Sequence, residues 1–340
     1  MTPPASDDAP SPVTVVLPNY NGCELLRRFL PSVLTAAAAL APPARVTVVD
    51  DASTDASVEL LRQRWPQVEV LVNQRNLGFG ETANRGIEAA QSPLVFLLNT
   101  DAEPDPDVLP PLIERMTERP DAAAVVPKIL QIGTGGTCES VVSASFRRGL
   151  FRLQWHPELC EAEGPLPVLY PCGAAVMLRR DEFLELGGFD SLFAPFYWED
   201  VDLGYRMWRA GHEVLYEPRA RVLHYHPGAI KATHSAERAH FMQDRNRFLF
   251  TWKNLDRGML VRHFAWLPAH VVVSSVTGRL RFVTALWAAL PALPGSLLRR
   301  GAAGRSRRTG RSRRTGRSRR TGRRILSTRE ILDRARPGGG

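Results

Sequence analysis

The stretch LVFLLNTDAEPDPD, residues 94–107, runs five apolar residues straight into Asn99, Thr100 and Asp101, with Glu103, Asp105 and Asp107 following. An uninterrupted run of five bulky residues with no polar alternation is the pattern of a strand covered on both faces. In parallel α/β sheets the ligand crevice lies beyond the carboxyl ends of the strands. Carboxylates placed there line a cleft and stay out of the core. A plainer reading of the same acids is that residues 101–107 favour the start of a helix near Val108.

The segments around this stretch have the same construction. VTVVL (13–17), VTVV (46–49), VEVLV (68–72) and AAAVV (122–126) are also short and apolar. Between the first two, Leu25, Leu26, Phe29, Leu30, Val33 and Leu34 form one helical stripe, which Pro31 is expected to kink or shorten. Further helices fit residues 56–65, 81–91 and 108–119. Strand, helix, strand repeated four times predicts an α/β fold with a mostly parallel sheet and right-handed crossovers. Polar residues follow each strand: Asn19 to Asn21, Asp50 and Asp51, Asn73 to Asn76, then Asn99 to Asp101.

The second half is less regular, and residues 128–166 carry few signals. Ala174–Leu178 reads as a strand and residues 181–186 as a short helix. FAPFYWEDVDLGYRMWRAGHEV follows, with Asp200 placed to cap a helix from Val201 to Ala210 that stops at Gly211. A strand RVLHYH (221–226) comes next.

With 44% hydrophobic and 23% charged residues, the composition is that of an ordinary globular protein. The four cysteines (Cys23, Cys138, Cys160, Cys172) form no CxxC pair, which predicts reduced thiols in a cytoplasmic protein. MTPPASDDAPSP lacks the basic and apolar segments of a secretory signal, so residues 1–12 read as a disordered lead. The net charge of +9 arises in the tail: residues 299–336 carry 16 arginines against Glu330 and Asp333, and the rest of the chain is mildly acidic. GRSRRT occurs three times in succession from Gly304 to Thr321, without one bulky apolar side chain. Such low-complexity sequence is expected to be disordered, which makes 299–340 an arginine-rich tail.

Residues 264–298 are rich in apolar side chains, interrupted by Arg279 and Arg281. Neither run has the ~20 uninterrupted apolar residues of a spanning helix. Helices lying in a membrane interface and an amphipathic pair packed on the protein's own surface are both compatible with them. An anionic membrane surface touching residues 264–324 would explain the arginines, which are attracted to lipid heads at ~1 kcal/mol each.

Asn99, Asp101 and Glu103 suit a hard divalent cation, Mg²⁺ or Mn²⁺, bridging a diphosphate. One of Asp50 and Asp51 is placed to accept hydrogen bonds from a ribose or base, although Ser53 to Asp55 also make a good turn. Phe193, Phe196, Tyr197 and Trp198 crowd the approach to Glu199 and Asp200, where they would exclude water and raise a carboxylate's pKa. Such a carboxylate is suited to general-base work, as well as to helix capping. His224 and His226 share one strand face and are candidate ligands.

Taken together, PNYNG (18–22), VTVVDDASTD (46–55), NLGFGETANRGI (76–87), LLNTDAEP (97–104), CGAAVMLRR (172–180), LGGFDSLFAPFYWEDVDLGYR (186–206) and RVLHYH (221–226) resemble the family 2 glycosyltransferases. The resemblance is to the branch with bacterial rhamnosyltransferases and covers residues 13 to 255. It implies the GT-A fold, with a nucleotide-binding half (13–126) and an acceptor half (127–255). Beyond the resemblance, the apolar residues predict a helical extension (256–298). The resemblance further implies that Asp50 holds the nucleobase or ribose with Pro18, Asn19 and Asp51, while Gly78 and Asn84 shape the donor pocket. Asn99-Thr100-Asp101 occupies the family's DxD position, so Asp101 and His224 would hold the metal. Asn99 replaces the first aspartate and removes one anionic ligand. Asp200 would be the catalytic base, with Trp198, Glu199 and Gly173 on the acceptor side.

The expected activity is inverting transfer from a nucleotide sugar, dTDP-rhamnose or a UDP-sugar, to a cell-surface glycan or lipid-linked acceptor. The expected location is the cytoplasm, with a peripheral place on the inner face of the plasma membrane as its finer option. Two alternatives stand beside it. A sugar nucleotidyltransferase would want a glycine-rich basic loop after the first strand, which PNYNG does not supply. An RNA or DNA binder would act through the arginine tail, but the apolar segment before that tail favours membrane over nucleic acid.

Overall fold

The computed structural model describes residues 11–133, 136–225, 235–298 and 324–337. In chain order the first half contains β1 (Val13–Asn19), α1 (Cys23–Ala38), β2 (Arg45–Asp50), α2 (Ser57–Arg64), β3 (Glu69–Val72), α3 (Phe79–Ala89), β4 (Leu94–Leu98), β5 (Ala102–Pro104), α4 (Leu109–Glu118) and β6 (Ala122–Ile132). The strands and helices expected there are present. Pro31 does not shorten α1, which runs sixteen residues through it and buries Leu26, Phe29, Leu30 and Val33. All five residues of β4 are buried, as a strand covered on both faces requires. On α3, a Cβ at Gly86 would lie 2.4 Å from Val16 Cγ1 and 2.8 Å from Val49 Cγ2, so only glycine lets the helix sit this close to β1 and β2.

The second half continues with the hairpin β7 (Val142–Arg147) and β8 (Leu150–Trp155), then β9 (Leu166–Pro167), β10 (Ala175–Arg179), α5 (Arg180–Glu185), α6 (Glu199–Arg209) and β11 (Glu213–Tyr225). The main sheet has the order β3-β2-β1-β4-β10-β6-β11-β5, with β9 alongside β11. β1 is parallel to β2 and β4, and β6 is parallel to β11. β10 lies between β4 and β6, antiparallel to both. The expectation of a mostly parallel α/β sheet therefore holds. The short β5 pairs antiparallel with the end of β11, setting His224 opposite Ala102. This register brings the residue after β4's polar turn to the late histidine.

After β11 come α7 (Ala236–Asn254), α8 (Arg257–Val276), α9 (Leu280–Ala289), α10 (Leu293–Leu298) and α11 (Thr328–Arg334). By length and composition the segments Arg257–Val276 and Leu280–Leu298 are each long and apolar enough to cross a membrane. That differs from the sequence reading, because a helix through Arg262, His263 and His270 carries the apolar side chains further than the uninterrupted run. Both segments also touch the body: His263 is buried against Trp252 Nε1 (3.1 Å) and Gly149 O (2.7 Å), and Phe282 meets Phe248 edge to face. Their other faces leave Val261, Val272, Val276, Trp287 and Leu298 exposed.

Three expectations need correction. Cys138 and Cys160 form a disulfide (Cα–Cα 6.1 Å), leaving Cys23 and Cys172 as free thiols. Their separation of 22 residues carries no signal, and the pair meets only because Cys138 bridges to Leu130 on β6 while Tyr216 on neighbouring β11 hydrogen-bonds Cys160 O. At the start of the chain, Ser11 is buried and its carbonyl accepts from Ser92 Oγ, so ordered structure begins inside the stretch read as a disordered lead. At the other end, the tail is not low-complexity throughout. A capping box at Ser327 and Glu330 starts α11, and Leu326, Ile331 and Ala335 are buried against the body. The GRSRRT repeats lie outside the described residues.

Candidate active site

A cleft of about 1020 Å³ opens at the carboxyl ends of the central strands. Asn99, Asp101, Gly173, Trp198, Glu199, Asp200 and His224 all line it, so these predicted site residues share one chamber.

Its charged part is built on the β5–β11 pairing. His224 Nε2 lies 3.3 Å from Asp101 Oδ1, and its Nδ1 lies 2.9 Å from Glu139 Oε2. Burial by itself would lower the imidazole's pKa. Hydrogen bonds and charge from Asp101 and Glu139 outweigh it, raising the pKa to about 10. A histidine with a carboxylate on Nδ1 and its Nε2 beside a second carboxylate is the usual support for a metal ligand. Asp101 and His224 thus fit a divalent cation such as Mg²⁺ or Mn²⁺. They are two protein ligands, and among the described residues no group of three or more is close enough to hold a metal alone. The helix-start reading of the acids is not seen: α4 has no side-chain cap, and Asp105 instead pairs with Arg221 (2.7 Å). His226 falls outside the described residues.

Asp200 stands differently from its expected capping role. The helix begins two residues earlier, at Glu199, because Tyr197 and Trp198 both take left-handed backbone conformations (φ 72° and 75°). Asp200 therefore sits in the first turn of α6. Its Oδ1 accepts from Val201 N (2.8 Å) and its Oδ2 from Gly173 N (3.3 Å). Burial raises its pKa to about 6, against those two hydrogen bonds. Burial and the neighbouring Asp200 push Glu199 well above the carboxylate range, and its Oε2 is buried without a partner. Trp198 packs between Phe151 of the hairpin and Phe250 of α7, with ring centroids 6.3 and 5.2 Å away.

The remaining predicted residues lie outside the lining of this cleft and are engaged inside the strand-end loops. Asp50 is fully buried and accepts from Asn19 Nδ2 (2.9 Å), Ser53 Oγ (2.6 Å) and Ser53 N (2.9 Å). Pro18 precedes that asparagine on β1, opposite Val49. Asp51 ties down the next loop, accepting from Asn73 Nδ2, Leu77 N and Gly78 N. Gly78 has φ 82°, and a Cβ there would approach Pro195 O at 3.1 Å. Asn84 bonds Phe189 in both directions through its side-chain amide, 2.9 and 2.8 Å. These residues shape the walls from behind.

Sequence reasoning missed three contributors. Glu139 orients His224 from the unassigned segment before β7. Asn246 gathers the carbonyls of Phe193, Phe196 and Tyr197 around its Nδ2 at 2.8–3.0 Å. Asp202, fully buried on α6, is paired with Arg206 and Lys253 at 2.7 Å each. An asparagine two residues before the aromatic run FLFTW (248–252) was the one available clue to Asn246.

Comparison with known proteins agrees with this fold. The family model for Glycosyl transferase family 2 matches residues 14–186, just over half of the chain. The N-acetylglucosaminyl-diphospho-decaprenol L-rhamnosyltransferase of Mycobacterium tuberculosis is 28% identical over 298 residues, covering 78% of this chain and 94% of its own. A pre-mycofactocin glycosyltransferase of the same organism is 30% identical over 228 residues, 66% of this chain and 44% of its own length. Among solved structures, S. aureus TarS 1-349 with UDP-GlcNAc superposes with TM-score 0.55 at 14% identity, covering 84% of this chain and 83% of that one. GalNAc-T7 with UDP, GalNAc and Mn²⁺ gives 0.56 at 19%, covering 72% of this chain and about half (48%) of that one. The chain belongs to glycosyl transferase family 2 and is a glycosyltransferase with the GT-A fold.

Proposed function

We propose that this glycosyltransferase moves a sugar, with inversion, from a nucleoside-diphosphate donor to a hydroxyl group of a lipid-linked glycan, with Asp200 as the base. The observation that carries it is the half-buried Asp200 carboxylate, its pKa raised to about 6, in the same cleft as the Asp101–His224–Glu139 set. The similarity to an L-rhamnosyltransferase whose acceptor is a diphospho-decaprenol supports rhamnose as the sugar and a polyprenyl carrier for the acceptor. The exposed apolar faces of α8 and α9 support an enzyme resting on the cytoplasmic face of a membrane, where such an acceptor resides.

Inverting transfer needs one base, unlike hydrolysis with its two flanking carboxyl groups. Asp200 is ionised at neutral pH yet more basic than an ordinary aspartate, which suits it to take the proton of the attacking hydroxyl. The N–H groups of Gly173 and Val201 fix its two oxygens, and burial raises the pKa of Glu199 beside it, which favours the negative charge on Asp200. Trp198 and Tyr197 wall off water and offer faces for a sugar ring. Asp50, Asp51, Asn19, Pro18, Gly78 and Asn84 form the loops of the donor side. A divalent cation, when bound by Asp101 and His224, would supply charge neutralisation for the leaving diphosphate.

The experiment is Asp200→Asn, which is expected to abolish transfer while nucleotide-sugar binding persists. Turnover at the wild-type rate would remove Asp200 from the mechanism. Asp101→Ala is expected to weaken Mn²⁺-dependent donor binding by about tenfold or more, roughly one charged contact. Unchanged donor affinity by calorimetry would count against Asp101 as a ligand.

A further inference from the structure

The cleft that holds Asp200 also presents four arginines: Arg152 from β8, Arg247 from α7, Arg279 just before α9 and Arg281 within it. One acid, Asp244, answers two of them, at 3.2 Å from Arg247 and 2.8 Å from Arg281. Arg152 and Arg279 have no carboxylate partner among the described residues, and Arg247 Nε is buried without a hydrogen-bond acceptor. The acids of the same cleft do not neutralise this group. Asp101 and Glu139 are bound to His224, and Asp200 accepts from backbone N–H groups. Four cations against one shared acid leave a concentrated positive surface. Like charges are not held together around a cleft without cost, so the arrangement calls for an anionic ligand.

The donor's diphosphate is already provided for by the cation at Asp101 and His224 on the reading above, on which this inference rests. The arginines therefore answer a second anion. Val273 and Leu280 line the same cleft and are 58% and 60% exposed, part of the apolar surface of α8 and α9. A ligand with its charge at the arginines has an apolar path outward over these two residues.

We infer that Arg152, Arg247, Arg279 and Arg281 form a subsite for the diphosphate joining the acceptor's glycan to its lipid, with the lipid leaving over Val273 and Leu280. The attacking sugar then lies between this anchor and Asp200. Guanidinium groups suit a diphosphate because their paired N–H donors match two phosphate oxygens at once.

The test titrates the full chain with farnesyl diphosphate, farnesol and inorganic pyrophosphate. UDP or dTDP is added first with Mg²⁺ to fill the donor side. The comparison protein is the double variant Arg152→Ala/Arg279→Ala, which removes the two arginines without an ion pair and so leaves packing intact. Farnesyl diphosphate is expected to bind the wild type more tightly than either farnesol or pyrophosphate. The double variant is expected to lose about tenfold or more of that affinity, the equivalent of ~1.4 kcal/mol, with UDP or dTDP affinity and Tm unchanged. Equal binding by the variant, or farnesol binding as well as farnesyl diphosphate, would overturn the subsite. Pyrophosphate matching farnesyl diphosphate would overturn its assignment to a lipid carrier. Nucleotide affinity falling in the variant would give the arginines to the donor instead. Failure of the underlying reading would show separately, as a wild type that binds neither UDP nor dTDP.

Discussion

Asp200 is held by two backbone N–H groups but is half-buried in the cleft wall, and the loss of hydration prevails. A base acts in its ionised form, so a raised pKa moves the loss of activity upward in pH. Below about pH 6 the carboxyl is protonated and kcat/KM is expected to fall tenfold per pH unit, where an ordinary aspartate would hold activity to near pH 4. A rate profile flat down to pH 5 would contradict the assignment. Asp101, Asp200 and His224 were legible because each belongs to a short motif whose order matched a family. Glu139 and Asn246 were not, since a lone polar residue in a weakly patterned segment looks like any surface residue until the fold buries it. Asp50 and Asp51 were legible as important, but their partners were not: each uses its oxygens on its own loops.

The segment from Phe193 to Asp200 shows what one element requires. Two successive aromatic residues in the left-handed region cost roughly 1–3 kcal/mol each, because their Cβ atoms crowd the backbone. Asn246 offsets this by collecting three carbonyls, and Trp198 is wedged between Phe151 and Phe250. Asn246→Ala is expected to destabilise the protein by about 2 kcal/mol and to lower kcat more than it changes donor affinity, since it loosens the turn that presents Asp200. Urea denaturation with steady-state kinetics checks both; an unaltered kcat would make Asn246 merely structural. Sequence placed this helix's start two residues late, because nothing local announces left-handed aromatic residues.

Across the whole molecule, the parallel half of the sheet was readable from its apolar runs, each sequentially adjacent to the helix that covers it. The other half depends on pairings over long sequence separations, such as β10 slipping between β4 and β6 and the disulfide between Cys138 and Cys160. Local pattern does not encode these. The apolar helices α8 and α9 are a property of the whole in the same sense, since only the fold shows which face remains bare. Val276 and Trp287, 82% and 67% exposed, make few intramolecular contacts. Val276→Asp with Trp287→Asp is expected to weaken cosedimentation with anionic vesicles several-fold, as two buried apolar groups of ~1.5–3 kcal/mol each would allow. Tm should stay unchanged, and undiminished vesicle binding would place the membrane contact elsewhere.

The docking of α11 has one more consequence. Thr328 touches the hydroxyl of Tyr205 on the helix that carries Asp200, and on the two sides of the arginine-rich stretch Ser296 and Leu326 are buried against the body. For an unstructured connection of the kind the sequence predicts, closure entropy changes only slowly with length. Gaining or losing one six-residue unit shifts stability by about 0.2 kcal/mol. On that expectation, the copy number of GRSRRT can change through replication slippage with little effect on the enzyme's geometry.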